Sequence, residues 1–235
     1  MLGEEADFVH ASGPDYFRLL KAMHKQLKPS LYLEVGSRTG NSLALTDCDF
    51  IAIDPVFNLK RLTVFPGRQA YFFQMPSDDF FASDFLAKTE LRPDFSFLDG
   101  MHHYEFLLRD MINAEAASAP GGAIALHDCC PFNAVMTERK WVRRRTREWT
   151  GDVWKVLAIL LDKRPDLSIK VYDAAPTGLV VIENADPNNT ALKDQYDAIL
   201  AQYDGVEIKD YGVTKFFDSF EYADTSAYLT ETQAL

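Results

Sequence analysis

LYLEVGSRTGNS, residues 31–42, is the stretch from which the fold is best approached. It begins as a short apolar run, passes through Glu34 and Gly36, and turns at Gly40 toward Asn41–Ser42, where we expect a helix to begin. A strand, a glycine turn and a helix N-terminus place free backbone N–H groups beside the carboxyl end of a strand. The stretch therefore predicts a site for a polar or anionic ligand.

A second apolar run, Phe50–Ile53, ends at Asp54, which lies 18 positions after Gly36. Nucleotide-binding sites of the Rossmann type place a carboxylate at about this distance, on the ribose hydroxyls. The chemistry fits, because a carboxylate accepts two hydrogen bonds and a vicinal diol offers two. The alternative interpretation is a polar strand end before the turn at Pro55.

Short apolar runs alternate with helical patterns along most of the chain, which predicts a parallel sheet covered on both faces. The turn at 175–178 predicts a final antiparallel hairpin. We therefore expect an α/β, Rossmann-like fold with a seven-stranded, mostly parallel sheet, a C-terminal antiparallel hairpin and helices on both faces. The predicted strands are Leu31–Val35, Phe50–Ile53, Tyr71–Met75, Phe95–Leu98, Ala123–Leu126, Ile169–Tyr172 and Leu179–Ile182.

Ionisable residues collect at the ends of these strands, where open parallel sheets bind their ligands. They are Glu34, Asp54, Asp99, His102, His127 and Asp128. Core packing does not explain such a set, because buried ionisable groups need solvent, partners or a metal. Plainer interpretations are a turn at Asp99-Gly100 and a helix cap at His127-Asp128. For His103 we favour a position on a helix surface.

Composition limits the possible functions of the 235-residue chain. Its net charge of −11 argues against a general nucleic-acid or anionic-membrane surface. No apolar run approaches the roughly 18 residues that span a bilayer, and the N-terminus has no secretory pattern. Three cysteines, Cys48, Cys129 and Cys130, indicate reduced thiols without a disulfide framework. We therefore expect a cytoplasmic protein without a nucleic-acid or membrane partner.

The chain divides into three segments of one expected domain. Residues 1–30 are a helical segment packing on the core, 31–183 are the Rossmann-like core, and 184–235 are a C-terminal helix and an aromatic tail. The tail is too apolar for a linker, and it packs either over the site or on another subunit, so a homo-oligomer is one prediction. The Arg-rich stretch 143–147 either grips an acidic substrate or forms a solvated helix face.

Taken together, the motifs of this sequence resemble those of a known family. LEVGSRTGNS resembles motif I of class I S-adenosylmethionine-dependent methyltransferases, in the form E-x-G-x-x-x-G at Glu34, Gly36 and Gly40. The dinucleotide pattern G-x-G-x-x-G is absent, since position 38 is Arg. FLDGMHHYEFLLRD, followed later by LHD, is similar to the small-molecule O-methyltransferase branch that contains macrocin-type enzymes. The resemblance covers about residues 31–183.

The resemblance implies a cofactor site for S-adenosyl-L-methionine. Glycines and serines of the turn would hold its methionine end, Glu34 would orient that turn or the amino group, and Asp54 would bind ribose. Ser77 or Asp78 would lie near the adenine; we also expect one of them to cap a helix, and the two roles do not exclude each other. The residues implied for cofactor binding are Glu34, Gly36, Ser37, Gly40, Ser42, Asp54, Ser77, Asp78 and Asp99.

Methyl transfer to a hydroxyl requires that its proton be removed. A histidine suits that task near neutral pH, and His102 and His127 are the candidates, with Asp99 beside them. A divalent cation such as Mg²⁺, held by Asp99 and Asp128, would do the same by lowering the acceptor's pKa. We therefore predict O-methylation of a small hydroxylated molecule, such as a sugar or natural product. An NAD-linked oxidoreductase and a non-catalytic cofactor-binding protein stay open as alternatives.

Overall fold

The computed structural model describes residues 7–60, 64–142 and 145–233. Strands alternate with α-helices from Ala70–Phe73 to Ser168–Tyr172, as the apolar pattern predicts, whereas no α-helix separates Leu31–Val35, Asp49–Ile53 and Ala70–Phe73 in the described residues. They are β1 (Gly13–Asp15), β2 (Leu31–Val35), β3 (Asp49–Ile53), β4 (Ala70–Phe73), β5 (Phe95–Leu98), β6 (Ala123–His127), β7 (Ser168–Tyr172), β8 (Ala174–Ala175), β9 (Leu179–Glu183) and β10 (Tyr222–Ala223).

The α-helices occupy the connections between strands and the C-terminal region. They are α1 (Tyr16–Leu27), α2 (Ser77–Ala82), α3 (Phe85–Thr89), α4 (Tyr104–Ala117), α5 (Trp154–Lys163), α6 (Ala191–Asp194), α7 (Tyr196–Tyr203), α8 (Ile208–Tyr211), α9 (Val213–Phe217) and α10 (Thr225–Gln233). No helix in the described ranges is long and apolar enough to cross a membrane.

The central sheet has the strand order β10-β7-β9-β6-β5-β2-β3-β4. β9 runs antiparallel to both of its neighbours, and the other pairings are parallel. The predicted Rossmann-like sheet and its antiparallel hairpin are therefore confirmed. An eighth strand, β10, extends the predicted seven by pairing Tyr222 with Val171 at the edge. A strand of two residues leaves too short a pattern to detect in the sequence.

Helices cover both faces of the sheet, as predicted. On one face, α2, α4 and α5 bury Phe80, Met111 and Leu157 against the strands. On the other, α1 buries Leu20, and α10 packs Tyr228 beside it. The strands between these layers are almost continuously apolar because neither face meets water.

The helix expected to begin at Asn41–Ser42 is absent. A single 3₁₀ turn, Leu43–Leu45, stands in its place, and the chain is extended again at Thr46. Six residues separate Ser42 from the start of β3, too few for several α-helical turns. The Ser42 side chain makes no capping bond. The predicted helix N-terminus is therefore wrong, and within the described residues the glycine turn is what remains of the predicted strand–turn–helix unit.

Candidate active site

The strand order reverses beside β2, since β3 and β4 lie on one side of it and β5 on the other. A crevice forms at such a reversal, outside the carboxyl ends of the strands. Gly36 follows β2 with φ of +91°, and a Cβ built on it would lie 2.0 Å from the carbonyl oxygen of Asp99. The turn after β2 therefore packs directly on the turn after β5, and only glycine fits there.

A cavity of about 610 Å³ opens at this crevice. Its volume is within the roughly 300–1,000 Å³ typical of small-molecule sites. Of the residues that the sequence singled out, its walls include Gly36, Asp54, Ser77, Asp78, Asp99 and His102.

Other wall residues were missed by the sequence interpretation. They include Arg38, Thr39, Pro55, Val56, Met101 and Phe106. Arg38 and Thr39 lie inside the glycine-turn motif, and Pro55 and Met101 directly adjoin predicted residues, so proximity in sequence was the available signal for these four. Phe106 lies on α4, and nothing in the sequence distinguishes it from a packing residue.

The Asp54 carboxylate is fixed at the end of β3. It accepts hydrogen bonds from the backbone N–H groups of Arg38 (2.9 Å) and Val56 (2.8 Å). Asp54 is mostly buried but contributes to the cavity wall. Each carboxylate oxygen has a second lone pair, so both remain able to accept a hydrogen bond from a ligand hydroxyl.

Four predicted cofactor residues lie behind the cavity wall. The buried Glu34 carboxylate accepts hydrogen bonds from the hydroxyls of Ser42 (2.7 Å) and Tyr32 (2.8 Å). Burial raises the pKa of Glu34 to about 7, against the lowering effect of these hydrogen bonds. The Ser37 hydroxyl donates to the Glu34 carbonyl, and the Gly40 N–H donates to the Ser37 carbonyl. These contacts shape the glycine turn from within.

Ser77 and Asp78 begin α2 at the other end of the cavity. The helix has no side-chain cap, so neither Ser77 nor Asp78 caps it. Asp78 instead accepts two hydrogen bonds from the Arg109 guanidinium, at 2.8 and 2.7 Å. Hydrogen bonding to Arg109 lowers the pKa of Asp78, so this carboxylate is ionised and held in place.

Two carboxylates and two imidazoles meet at the ends of β5 and β6. His102 Nε2 lies 3.6 Å from Asp99 Oδ1 and 3.3 Å from Asp128 Oδ2. His127 Nδ1 lies 3.2 Å from Asp99 Oδ1 and 3.5 Å from Asp128 Oδ1. β5 and β6 are neighbours in the sheet, which brings residues 28 positions apart into contact. We call these four residues the carboxylate–histidine cluster.

Charge balance sets the protonation of this cluster. Burial lowers the pKa of His102, but its hydrogen bond to Asp99 and the charges of Asp128 and Asp99 outweigh burial and raise it to about 9. Burial also opposes the charged form of His127, yet Asp128 and Asp99 raise its pKa to about 8. Burial raises the pKa of Asp99, but the two imidazoles lower it by more. The pKa therefore lies below its usual value, and the carboxylate is ionised.

Three residues outside the predicted set hold the cluster in position. The Thr177 hydroxyl donates to Asp128 Oδ1 at 2.6 Å. His102 Nδ1 donates to the Trp149 carbonyl at 2.6 Å, and its ring stacks on the Trp149 indole. The Tyr16 ring lies over His127 with ring centroids 4.0 Å apart. Thr177, Trp149 and Tyr16 are distant in sequence, and only the fold brings them here.

The donor set of the cluster suits a divalent cation. One ligand atom each from Asp99, His102 and Asp128 lies within 4.8 Å of the other two. Carboxylate and imidazole donors suit several divalent metals, with oxygen-rich sets favouring Mg²⁺ and Mn²⁺. Asp128, the residue after β6, has φ of +61°, a left-handed conformation that aspartate and asparagine adopt more readily than other non-glycine residues. His127 does not belong to this trio.

Other singled-out residues lie around this centre. His103 precedes α4 and contacts the Arg139 carbonyl at 2.9 Å. Cys129 and Cys130 are buried free thiols. Of the Arg-rich stretch, residues 143 and 144 lie outside the described ranges, and Arg145 pairs with Glu138 at 2.6 Å. Part of the aromatic tail packs inside the fold, with Phe216 against Trp154.

Comparison with solved structures identifies the class of fold. A cofactor-bound protein from MTB, Rv0187, matches with a TM-score of 0.53 at 10% sequence identity, over 73% of this chain and 80% of that one. The SAH-bound methyltransferase PaMTH1 of Podospora anserina matches with a TM-score of 0.50 at 14% identity, over 73% and 78%.

A candidate caffeoyl-CoA O-methyltransferase from Staphylococcus aureus gives a TM-score of 0.50 at 13% identity, over 72% of this chain and 82% of that one. No family model matches the chain, and no curated protein matches it. At these identities the likeness concerns the fold alone, and the chain has the Rossmann-like fold that its sequence pattern predicts.

Proposed function

We propose that this protein is an S-adenosyl-L-methionine-dependent methyltransferase that methylates a hydroxyl group of a small molecule. One observation carries the proposal: a single cavity of about 610 Å³ is lined both by Asp54 and by Asp99 and His102. The carboxylate proposed to bind ribose and two of the four residues of the carboxylate–histidine cluster therefore border the same space, with His127 and Asp128 outside its wall. A methyl donor bound at one end would present its reactive carbon near the other.

The residues of the chain fit the parts of this cofactor. Asp54 has free lone pairs for the ribose hydroxyls. Gly36 lets the methionine end approach the backbone, since no side chain intervenes. Met101 and Phe106 supply apolar wall for the adenine, with Ser77 offering a hydroxyl to its edge. Asp78 contributes through its fixed pair with Arg109 rather than as a free acceptor.

We further propose that Asp99, His102 and Asp128 hold a divalent cation, for which Mg²⁺ is the natural candidate. Such a cation, when bound, lowers the pKa of a coordinated acceptor hydroxyl. Asp99 and Asp128 bring the negative charge that attracts it. Thr177 and Trp149 hold Asp128 and His102 in orientation from outside the trio.

The histidines are less suited to act alone as a base. Each ring nitrogen of His102 and His127 already lies near a partner. Without a cation, the pKa values of about 9 and 8 keep both rings protonated at neutral pH, and a cation bound by His102 would displace one of these protons. A general base needs a free lone pair, which neither protonated ring offers, so the cluster favours deprotonation of a cation-bound acceptor whose proton leaves to solvent.

Cofactor binding is tested by isothermal titration of S-adenosylhomocysteine into the intact protein. We expect micromolar binding that weakens at least tenfold in Asp54→Ala, because two ribose hydrogen bonds to a charged acceptor are lost. Asp79→Ala is the matched control, since Asp79 is an exposed carboxylate on α2. Absence of binding, or equal binding by both variants, would contradict the proposal.

Cation binding is tested separately by titrating Mn²⁺ into the cofactor-loaded protein and following its electron paramagnetic resonance. Asp128→Asn removes the charge without backbone strain, because asparagine tolerates the positive φ as aspartate does. We expect it to weaken Mn²⁺ binding while S-adenosylhomocysteine binding stays near the wild-type value. Unaltered Mn²⁺ binding would remove the cation from the proposal and leave the methyltransferase assignment standing.

A further inference from the structure

A second cavity, of about 690 Å³, lies away from the candidate active site. It is enclosed by α1, by residues 44–47 and by α10. Ala44 and Leu45 belong to the 3₁₀ turn that stands where an α-helix was expected. Ala44, Leu45 and Leu229 form apolar parts of its wall. Residues 44–47 lead into the amino end of β3, whereas the first cavity opens at the carboxyl ends of the strands.

His24 is an unsatisfied buried group in the wall of this cavity. Its side chain is 5% exposed, and within the described residues neither ring nitrogen has a hydrogen-bond partner. The ring packs edge-on against Tyr32 and Phe95, with centroid distances of 4.6 and 5.1 Å. Burial lowers its pKa to about 4, so the neutral ring offers one donor and one acceptor. Buried polar groups ordinarily have partners.

The rim of the cavity is basic, although the chain as a whole carries a net charge of −11. Arg18, Lys21 and Lys25 follow one another at helical spacing on the face of α1 beside it. Lys25 donates to the Thr232 carbonyl of α10 at 2.8 Å. Arg18 and Lys21 form no ion pair within the described part of the chain. Asp47 is the carboxylate among the described lining residues, which leaves an excess of positive charge.

We propose that this cavity binds a small amphipathic carboxylate that also carries a hydroxyl group. The carboxylate pairs with Arg18 and Lys21 at the rim. The apolar body lies against Leu45 and Leu229. The hydroxyl supplies the missing partner to His24, and because both ring nitrogens are closed to solvent in this structure, binding requires that the ring rotate toward the cavity. The site is separate from the cofactor cavity and does not depend on the proposed methyl transfer.

The probes are octanoate and 8-hydroxyoctanoate, titrated into full-length protein with ¹⁵N-labelled histidines. The His24 ring-nitrogen resonances report occupancy of this cavity, and the dissociation constants come from their shifts. In the wild type we expect 8-hydroxyoctanoate to bind three- to tenfold more tightly than octanoate. Arg18→Ala/Lys21→Ala should weaken both probes at least tenfold, whereas Lys140→Ala/Lys193→Ala removes two exposed charges elsewhere and should leave both unchanged.

A second variant guards against an effect of misfolding. Ala44 is exposed on the cavity wall, so Ala44→Trp should fill the space without disturbing the core and should abolish both titrations. Circular dichroism verifies that each variant is folded. The proposal is overturned if neither probe shifts His24, if the two probes bind equally, or if binding survives Ala44→Trp or the loss of Arg18 and Lys21.

Discussion

Gly36 and Asp99 meet backbone to backbone at the point where the strand order of the sheet reverses. A Cβ on Gly36 would lie 2.0 Å from the carbonyl oxygen of Asp99 and 2.5 Å from its carbonyl carbon. The Asp99 N–H in turn donates to the Val35 carbonyl at 2.9 Å. The glycine turn after β2 and the first residue of the carboxylate–histidine cluster are thus in direct backbone contact.

Gly36→Ala should destabilise the protein strongly. The substitution adds a methyl group against fixed backbone and places alanine at φ of +91°, which together should cost about 3 kcal/mol or more. Urea denaturation measures the free energy of unfolding. Gly121→Ala is the control, because Gly121 has φ of +76° and nothing within 4 Å of the added Cβ. That variant should lose only about 1 kcal/mol from backbone strain. Equal losses would show that the contact with Asp99 is unimportant.

Thr177→Val should weaken metal binding without unfolding the protein. Valine keeps the shape of the buried threonine but cannot donate to Asp128 Oδ1. Loss of such an outer hydrogen bond typically lowers metal affinity about 10- to 100-fold. Titration with Mn²⁺ followed by calorimetry gives the affinity. Thr214→Val, at an exposed position on α9, should leave it unchanged. A Thr177→Val protein with wild-type affinity would argue against a cation at Asp128.

Asp110 should make the stability of the protein depend on pH. Burial, with a smaller contribution from the charge of Asp78, raises its pKa to about 7, and one carboxylate oxygen has no partner within the described residues. Between the unfolded pKa of 3.8 and about 7, the folded state keeps a proton that the unfolded chain releases. This contribution therefore decreases as pH rises through that window, by on the order of 4 kcal/mol at most.

Asp110→Asn should flatten this pH dependence and should make the protein more stable than the wild type at pH 8. Thermal unfolding from pH 4 to pH 8 measures both effects. Asp197→Asn, at an exposed position on α7, should keep the wild-type profile. A wild-type profile in Asp110→Asn would mean that the carboxyl group is already ionised in the folded protein.

Arg164 and Glu115 form a buried ion pair beneath α4 and α5. The guanidinium donates to both carboxylate oxygens, at 2.6 and 2.7 Å, and both side chains are nearly inaccessible. Arg164→Met leaves Glu115 buried without its cation and should cost about 3–5 kcal/mol. Arg164→Met/Glu115→Leu removes both charges and should recover most of that loss. Urea denaturation of the single and double variants decides this, since additive losses would indicate independent residues.

Local sequence patterns predicted much of the sheet but not its attachments. The seven predicted strands are present because each is an apolar run long enough to recognise. β10 and the two-residue β8 were missed because no periodicity exists in so short a segment. The expected helix at Asn41–Ser42 failed for a different reason. Six residues between Ser42 and β3 leave too little chain for a helix of several turns, and the Ser42 hydroxyl, which could have capped one, donates instead to the buried Glu34.

The candidate site shows the same division. Asp54 and Gly36 were recognisable because their spacing follows from one strand–turn–strand unit, and both line the cavity. Their roles and those of the carboxylate–histidine cluster stay predictions. Tyr16, Trp149 and Thr177 could not be identified, since their positions beside His127, His102 and Asp128 depend on long-range packing.

By itself, the sequence determined the α/β architecture, the glycine turn after β2 and the set of ionisable residues at strand ends. These follow from periodicity, glycine conformation and the polarity of residues beyond apolar runs, all of which are local properties. Tertiary structure alone decided which of these residues touch, which carboxylates are neutralised by a partner, and where cavities remain. Those outcomes depend on the distances between strands and helices that are remote in sequence, and burial and charge balance act only once those distances exist.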